Sequence, residues 1–425
     1  MRIVKARCTY FPEKLKAPFG FKGGYLSELW QVVCRVESES TYGVGVGVQS
    51  VLWSDAAVFT SNSEFDGNAF MYKTTEYAVK LLAGREGTTP IELIDGIYEE
   101  TLRFARSLTN VKGKLRETFV RNALVAVDNA LWQLYAKERG EKDIMKLVPQ
   151  EYKAPLCEKH SKLCNIPLVS YGVKESEIKK LLSDGTVLMK IKIGFDDNGK
   201  MSKADMLEWD KNRLKQIHNI AKHYRTDYSK SGKILYYLDA NGKYDNLEDL
   251  KALLDYAAEI GALENIVLLE EPFAEENKIN VESVPVRCAA DESVHSLIDV
   301  EERIALGYRA ITLKPIAKTL SETLKILKKA FENNVICFCA DLTVNPLLVE
   351  WNKNIAARIG MLPEMNVGIL ESNGEQNYVS WKEMQGELSA KNGGMYQNSI
   401  YHITEDFFEK SGGIFEMVPF YEDRL

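Results

Sequence analysis

From about residue 165 onward, short apolar runs alternate with longer amphipathic stretches, which is typical of repeated strand–helix units around a parallel sheet. Runs of strand length lie at 167–170, 187–193, 234–238, 266–269, 287–290, 310–313, 335–340 and 367–370. Helical spacing of apolar residues lies at 204–224, 247–260, 299–305, 321–331 and 348–359. We expect the strands to close into a barrel, because the sequence does not indicate the reversal of strand order that an open sheet needs.

The first 110 or so residues have a different pattern. Alternation at 30–36 and 42–48 predicts antiparallel strands, and the apolar spacing at 116–140 predicts a helix that leads into the barrel. The predicted fold class is α/β, a (β/α)8-type (modified TIM) barrel at 151–384 with an N-terminal α+β capping domain at 1–150. The aromatic, irregular residues 385–425 are expected to complete that domain.

The amino-acid composition argues against several classes of function. Hydrophobic residues make up 45% and charged residues 27% of the chain, which allows a large buried core. The longest apolar runs are far shorter than the roughly 20 residues that a membrane helix needs. The net charge of −7 comes without a basic stripe, so nucleic acid is not an expected partner.

Two features predict a cytoplasmic location. The first seven residues interrupt apolar positions with charge and lack the features of a signal peptide. The seven cysteines are odd in number and spread from Cys8 to Cys339, which fits a reducing compartment better than a disulfide framework.

Charged residues end several of the predicted strands, where barrel enzymes carry their active groups. Lys190 and Lys192 alternate within 187–193, so both amines point to one side, the barrel interior. Asp239, Glu270 and Asp291 each end an apolar run. A single such carboxylate is commonly a helix cap or a surface group, but the intervals between these three resemble the roughly 30-residue repeat of a βα unit.

Carboxylates that converge at one barrel mouth repel one another unless a cation lies between them, and oxygen ligands suit Mg²⁺ better than zinc. Lys314 follows the next strand and is expected across the mouth from Lys190 and Lys192. Amines on opposite faces could remove a proton from a carbon and return it on the other side, while the metal stabilises the enediolate. Crowding by Lys190 and the metal is expected to lower the pKa of Lys192 from about 10.4 toward about 7 to 8.

Four segments carry a family resemblance: 126–132 (AVDNALW), 239–241 (DAN), 270–272 (EEP) and 290–293 (ADES). They resemble motifs of the enolase superfamily within the mandelate racemase/muconate lactonizing enzyme family, and the lysine after the sixth strand points to the muconate-lactonizing subgroup, which includes dipeptide epimerases. The resemblance implies Asp239, Glu270 and Asp291 as Mg²⁺ ligands, Lys192 as base, Lys314 as acid or base, and Lys190 as the partner of the substrate carboxylate. It also implies supporting roles for Asn241 and Glu271.

The chain departs from two branches of that family. The seventh strand is followed by Asp341 instead of the histidine that mandelate racemases and sugar-acid dehydratases use. The eighth strand reads GILESN at 368–373 and lacks the Asp-x-Asp that holds the ammonium group in dipeptide epimerases, which argues against a dipeptide substrate. Asp341 and Glu371 could bind an ammonium or hydroxyl group or could cap helices.

Further specificity candidates are Ser170 after the first strand, and Phe19 and Trp53, although such aromatic residues are commonly core. The glycine-rich turns at 20–24 and the segment 49–53 are expected to form mobile loops over the barrel mouth.

The predicted function is racemisation or epimerisation of a small carboxylate, such as an amino-acid derivative. Cycloisomerisation and dehydration of an acid sugar are the alternatives within the same chemistry. A barrel that only binds metal or carboxylate is the alternative of another class, but such a protein needs no base on each face. The sequence does not indicate whether the protein forms a homo-oligomer.

Overall fold

The structure is a computed structural model that describes residues 1–21, 24–109, 111, 113–196, 199–388 and 396–425, with the backbone alone for 19–21. The side chain of Phe19 and the turn residue Gly23 therefore lie outside the described part.

The N-terminal unit begins with an antiparallel sheet in the order β1 (Lys5–Phe21), β2 (Gly24–Glu37) and β3 (Tyr42–Gln49). The strands predicted at 30–36 and 42–48 lie within β2 and β3 and are confirmed. The pattern did not indicate β1, because its lysines, glutamate and two prolines do not resemble a buried strand. An edge strand tolerates these residues, since one side of its backbone needs no partner.

The helices of this unit are α1 (Val51–Ser54), α2 (Ala56–Thr60), α3 (Glu64–Leu82), α4 (Pro90–Thr109), α5 (Glu117–Ala123), α6 (Val125–Arg139) and α7 (Ile144–Leu147). The mobile loop expected at 49–53 is wrong, because α1 occupies most of it and all four of its residues are buried. The single helix predicted at 116–140 is two helices that meet at Leu124.

Helix α6 lies directly on β3 because the strand presents a row of glycines. A Cβ atom on Gly43 would lie 2.1 Å from the carbonyl oxygen of Ala130, and one on Gly45 would lie 2.1 Å from its amide nitrogen. Larger residues in this row would hold the helix away from the strand. The alternation of glycine and valine in β3 therefore sets how closely the sheet and α6 pack.

The same helix ties the N-terminal unit to the barrel. Asp128 in α6 accepts a hydrogen bond from the backbone N–H of Ser321 at 3.0 Å, and the Trp132 indole N–H donates to the Ser321 hydroxyl at 3.2 Å. Both α6 residues are fully buried, and burial raises the pKa of Asp128 to about 6. The segment 126–132 is thus a structural joint.

The barrel sheet is built from β4 (Lys162–Ile166), β5 (Leu168–Val169), β6 (Leu188–Lys192), β7 (Leu235–Asp239), β8 (Ile266–Glu270), β9 (Cys288–Ala290), β10 (Ala310–Leu313), β11 (Ile336–Cys339) and β12 (Gly368–Glu371). From β5 to β12 each strand is parallel to the next. The barrel predicted from the pattern is confirmed, and most strands lie within two residues of their predicted bounds.

The first barrel strand is split by Pro167, which has no N–H to donate. Its lower half, β4, pairs with β12, whereas its upper half, β5, pairs with β6, so this split strand closes the ring. The sequence pattern at 167–170 indicated the upper half alone. β4 was missed because its five residues include Lys162 and Asn165 among apolar neighbours.

The helices between and after these strands are α8 (Glu175–Ser183), α9 (Lys203–Ala221), α10 (Leu247–Glu259), α11 (Leu297–Ala305), α12 (Pro315–Lys318), α13 (Leu320–Glu332), α14 (Pro346–Ala356), α15 (Gly374–Asn377) and α16 (Trp381–Glu387). Across the described ranges, no helix combines the length and apolar character that crossing a membrane requires.

The C-terminal segment contains β13 (Tyr396–Gln397), β14 (Ile400–His402), α17 (Glu405–Lys410) and α18 (Pro419–Glu422). β14 runs antiparallel to β4 and extends the barrel sheet. Farther on, Glu422 accepts a hydrogen bond from the Tyr42 hydroxyl at 2.6 Å, so the segment contacts both units. The domain bounds at 150 and 384 stay a prediction.

We expect Gly45→Ala to lower the free energy of unfolding by about 3 kcal/mol, because the added methyl would overlap the backbone of α6. Gly386→Ala in α16 is the matched control, since a Cβ atom there meets nothing within 4 Å. Urea denaturation of both variants checks this. Equal stability of the two would contradict the direct packing of α6 on β3.

Candidate active site

A cavity of about 70 Å³ lies at the carboxyl ends of the barrel strands. Its charged lining comes from strand ends and the turns after them: Lys190, Lys192, Asp239, Glu270, Asp291, Glu292, Lys314, Asp341 and Glu371. Its apolar lining includes four leucines and a tryptophan of the N-terminal unit: Leu15, Leu26, Leu29, Leu52 and Trp53. The barrel thus supplies the charges and the N-terminal unit supplies an apolar wall.

Lys190 forms ion pairs with carboxylates from three strands. Its Nζ atom lies 3.1 Å from Asp239, 3.0 Å from Glu270 and 3.2 Å from Glu371. Burial alone would lower the pKa of Lys190, but these carboxylates outweigh burial and raise it well above its usual value. Lys190 is therefore a fixed positive charge among acids.

Lys192 lies two residues farther along β6, and its Nζ atom is 2.6 Å from Asp239 Oδ2. It also donates a hydrogen bond to the side-chain oxygen of Asn241. Burial would raise the pKa of Asp239, but Lys190 and then Lys192 outweigh it and lower that pKa to about 2. Asp239 is therefore ionised and shared between two ammonium groups.

Lys314 makes the corresponding pair on the other side of the barrel. It lies directly after β10, is buried, and forms an ion pair with Asp291, which follows β9. Thr312 donates to Asp291 Oδ1 at 2.6 Å. Burial would lower the pKa of Lys314, but the Asp291 carboxylate outweighs it and the pKa is raised.

A fourth lysine, Lys318, lies one helical turn after Lys314 and is buried. Its Nζ atom donates to the main-chain carbonyl of Asp291 at 2.8 Å and lies 3.6 Å from Asp291 Oδ1. The sequence pattern did not indicate Lys318. The signal was a lysine in i, i+4 relation to Lys314, but the apolar pattern could not indicate that α12 turns it inward.

Three carboxylates form a compact oxygen cluster. Glu270, Asp291 and Glu292 are buried, and each offers an oxygen within 4.8 Å of the other two. Oxygen ligands around one Mg²⁺ lie roughly 3 to 4 Å apart, since each is about 2.0 to 2.1 Å from the ion. Small side-chain adjustments satisfy that spacing, so these residues fit a hard divalent cation.

The cluster contains Glu292 where the sequence indicated Asp239. The three predicted ligands do line one cavity, but the Asp239 carboxylate faces Lys190 and Lys192. The motif ADES at 290–293 contained the signal for Glu292, because both acids follow β9 directly. Burial raises the pKa of Glu270 to about 8, and the Asp291 and Glu292 carboxylates add to this while Lys190 opposes it.

Glu271 and Asn241 support the neighbouring strand ends. Glu271 Oε1 accepts hydrogen bonds from the backbone N–H groups of Asp291 at 2.7 Å and Ser293 at 2.9 Å. Asn241 donates to Glu292 Oε1 at 2.8 Å. Both have positive φ angles, 38° for Glu271 and 43° for Asn241, which non-glycine residues adopt at a cost of about 1 kcal/mol or more.

Only some of the residues predicted to determine substrate specificity line the cavity. Asp341 and Glu371 line the cavity, and Asp341 Oδ2 accepts the backbone N–H of Asn373 at 2.7 Å. Burial, and after it the charge of Glu371, raises the pKa of Asp341 to about 6. Trp53 lies with its ring centre 4.5 Å from Lys314 Nζ. Ser170 does not line the cavity, and its carbonyl accepts a hydrogen bond from Arg213.

Solved structures share this architecture. A dipeptide epimerase from Enterococcus faecalis, crystallised with Mg and the dipeptide L-Leu-L-Tyr, has 17% identity and a TM-score of 0.65, covering 97% of this chain and 99% of that one. An enolase-superfamily member from the same organism has 19% identity and a TM-score of 0.64, covering 97% and 95%.

The chain has the fold of the enolase superfamily. A mandelate racemase/muconate lactonizing protein from Herpetosiphon aurantiacus is similar to the same extent, with 15% identity and a TM-score of 0.65 over 95% of this chain and 96% of that one. The resemblance seen in the motifs is thus confirmed for the fold. No family model matches the sequence, and no curated protein matches it by sequence.

We expect Lys190→Met to lower the free energy of unfolding by about 3 to 5 kcal/mol, because it leaves buried carboxylates without their shared partner. Lys203→Met is the control, since Lys203 forms an exposed pair with Asp245 whose loss costs under about 1 kcal/mol. Urea denaturation at neutral pH compares the two. Equal midpoints would show that Lys190 does not hold the acids together.

Proposed function

We propose that the chain is an Mg²⁺-dependent enzyme of the enolase superfamily that removes the proton next to a substrate carboxylate. The reaction is racemisation or epimerisation of an amino-acid derivative or related carboxylate. One observation carries the proposal: Lys192 and Lys314 line one cavity together with a buried acidic cluster.

The barrel order supports a two-base arrangement. Lys192 ends β6 and Lys314 follows β10, and these strands are the second and sixth of the ring, so they face each other across it. A carbon held between the two amines presents one face to each. Lys192 can then take a proton from one face while Lys314 returns one to the other. A protein that only binds carboxylates needs neither base.

Glu270 and Asp291 are the proposed Mg²⁺ ligands, completed by Asp239, Glu292 or both. A bound Mg²⁺ would stabilise the negative charge that develops on the substrate carboxylate as the α-proton leaves. The E. faecalis dipeptide epimerase was crystallised with Mg and a dipeptide, which supports a metal-dependent reaction on a carboxylate substrate. The cytoplasmic location and a homo-oligomer stay predictions.

The first test incubates the protein with Mg²⁺ and candidate acids in D₂O. Mass spectrometry then measures the exchange of solvent deuterium into the α-carbon. We expect Lys192→Ala and Lys314→Ala each to slow racemisation by at least roughly 10²-fold, since each removes the base on one face. Each variant should also fail to introduce deuterium into one enantiomer of the substrate, and the enantiomer affected should differ between the two variants.

Lys329→Ala is the control, because Lys329 pairs with Glu301 on the outside of the barrel. Loss of exchange in this variant to the same degree would overturn the assignment of the bases. Product mass also separates epimerisation, which keeps the substrate mass, from dehydration, which loses water.

The second test measures Mg²⁺ binding by titration calorimetry. We expect Glu270→Gln and Asp291→Asn to weaken binding by at least about 10-fold, because each removes a charged oxygen from the cluster. Comparison of Asp239→Asn with Glu292→Gln identifies the remaining ligand. Asp341→Asn, buried in the same cavity but outside the cluster, is the matched control. No Mg²⁺ binding by the unaltered protein would overturn the proposed cofactor.

A further inference from the structure

Two cysteines face each other across the N-terminal hairpin. Cys8 in β1 and Cys34 in β2 are direct partners in the antiparallel ladder. Directly opposed residues in such a ladder have Cα atoms about 4.5 to 5.5 Å apart, within the range of about 4.4 to 6.8 Å that disulfides span. Direct partners in a ladder point their side chains to the same face of the sheet, so the two thiols lie side by side.

The two thiols differ in access and acidity. Cys8 is partly exposed, and its Sγ atom lies 3.7 Å from the Tyr72 hydroxyl, whereas Cys34 is fully buried. The neighbouring Cys34 thiol lowers the pKa of Cys8, and burial raises the pKa of Cys34. Cys8 is therefore suited to react first with a reagent from solvent, and Cys34 is suited to complete the reaction from within.

The other cysteines of the described chain lack this arrangement. Cys157 is exposed and single, and the remaining four are buried in barrel strands: Cys164, Cys288, Cys337 and Cys339. Their ladder partners are not cysteines; Cys337, for example, is opposite Ile311, and Cys339 is opposite Leu313.

We propose that Cys8 and Cys34 form an oxidation site that closes into a reversible disulfide when it meets a small-molecule disulfide such as oxidised glutathione. The Cys8 thiolate attacks one sulfur of the reagent, forms a mixed disulfide and releases one thiolate. Cys34 then attacks the Cys8 sulfur while its proton passes to the departing glutathione sulfur, which leaves as the second thiol. Two protein thiols are oxidised and one reagent disulfide is reduced.

The bond would join the two strands that bring Leu15, Leu26 and Leu29 to the cavity wall. Opposed Cβ atoms in an antiparallel pair lie about 4.5 to 5.5 Å apart, whereas a relaxed disulfide needs about 3.5 to 4.5 Å. Closing the bond therefore draws the strands together, which makes it easy to reduce. That property suits a reversible modification better than a permanent link.

The test uses the full chain carrying Cys157→Ser, so that the exposed thiol does not compete. After treatment with oxidised glutathione and alkylation of free thiols, proteolysis and mass spectrometry without reductant should yield a linked peptide pair containing Cys8 and Cys34. Added dithiothreitol should separate the pair. The melting temperature of the oxidised protein should rise by roughly 2 to 5 °C, since the closed loop restricts the unfolded chain.

Two single variants separate the roles. Adding Cys34→Ser should leave Cys8 as a stable glutathione adduct, because no second thiol displaces it. Adding Cys8→Ser should leave Cys34 unmodified, because it is buried. A glutathione adduct on Cys8 that persists while Cys34 is present would overturn the proposal, as would failure of Cys8 to react at all. None of these outcomes depends on the enzyme activity proposed above.

Discussion

Buried carboxylates at the ends of β7, β8 and β9 lie side by side because ammonium groups lie between them. Lys190 is about 3 Å from Asp239 and Glu270, and Lys314 holds Asp291. An isolated buried charge would cost several kcal/mol, so neither set of groups could be buried without the other. The lysines proposed for proton transfer thus come from the same network that makes the acidic site possible.

That network depends on the barrel geometry. Neighbouring parallel strands bring their carboxyl ends to one rim, so Lys192, Asp239 and Glu270 lie in adjacent register although they are far apart in the chain. The N-terminal unit then closes the rim with leucines and Trp53, which exclude water from the charges and strengthen each pair. The close seating of α6 on β3 and its bonds to Ser321 hold this wall against the barrel.

The sequence predicted the barrel and most of the candidate site. In a parallel sheet, alternation with a period of two shows to which side a side chain points, and the carboxyl ends of the strands lie at one rim. Six residues predicted from this pattern line the cavity: Lys190, Lys192, Asp239, Glu270, Asp291 and Lys314. Glu292 and Lys318 did not follow, because their direction depends on the turn after β9 and on the short helix α12. Strand β1 and the buried helix α1 were missed because edge pairing and tertiary burial override local composition.

The split first barrel strand has a consequence for biosynthesis. Leu163 and Cys164 in β4 have a parallel neighbour in β12 on one side and an antiparallel neighbour in β14 on the other. The seam left below Pro167 is therefore sealed by residues 400–402. As the polypeptide leaves the ribosome, the ring stays incomplete until these late residues emerge, whereas the β1–β3 sheet can form much earlier.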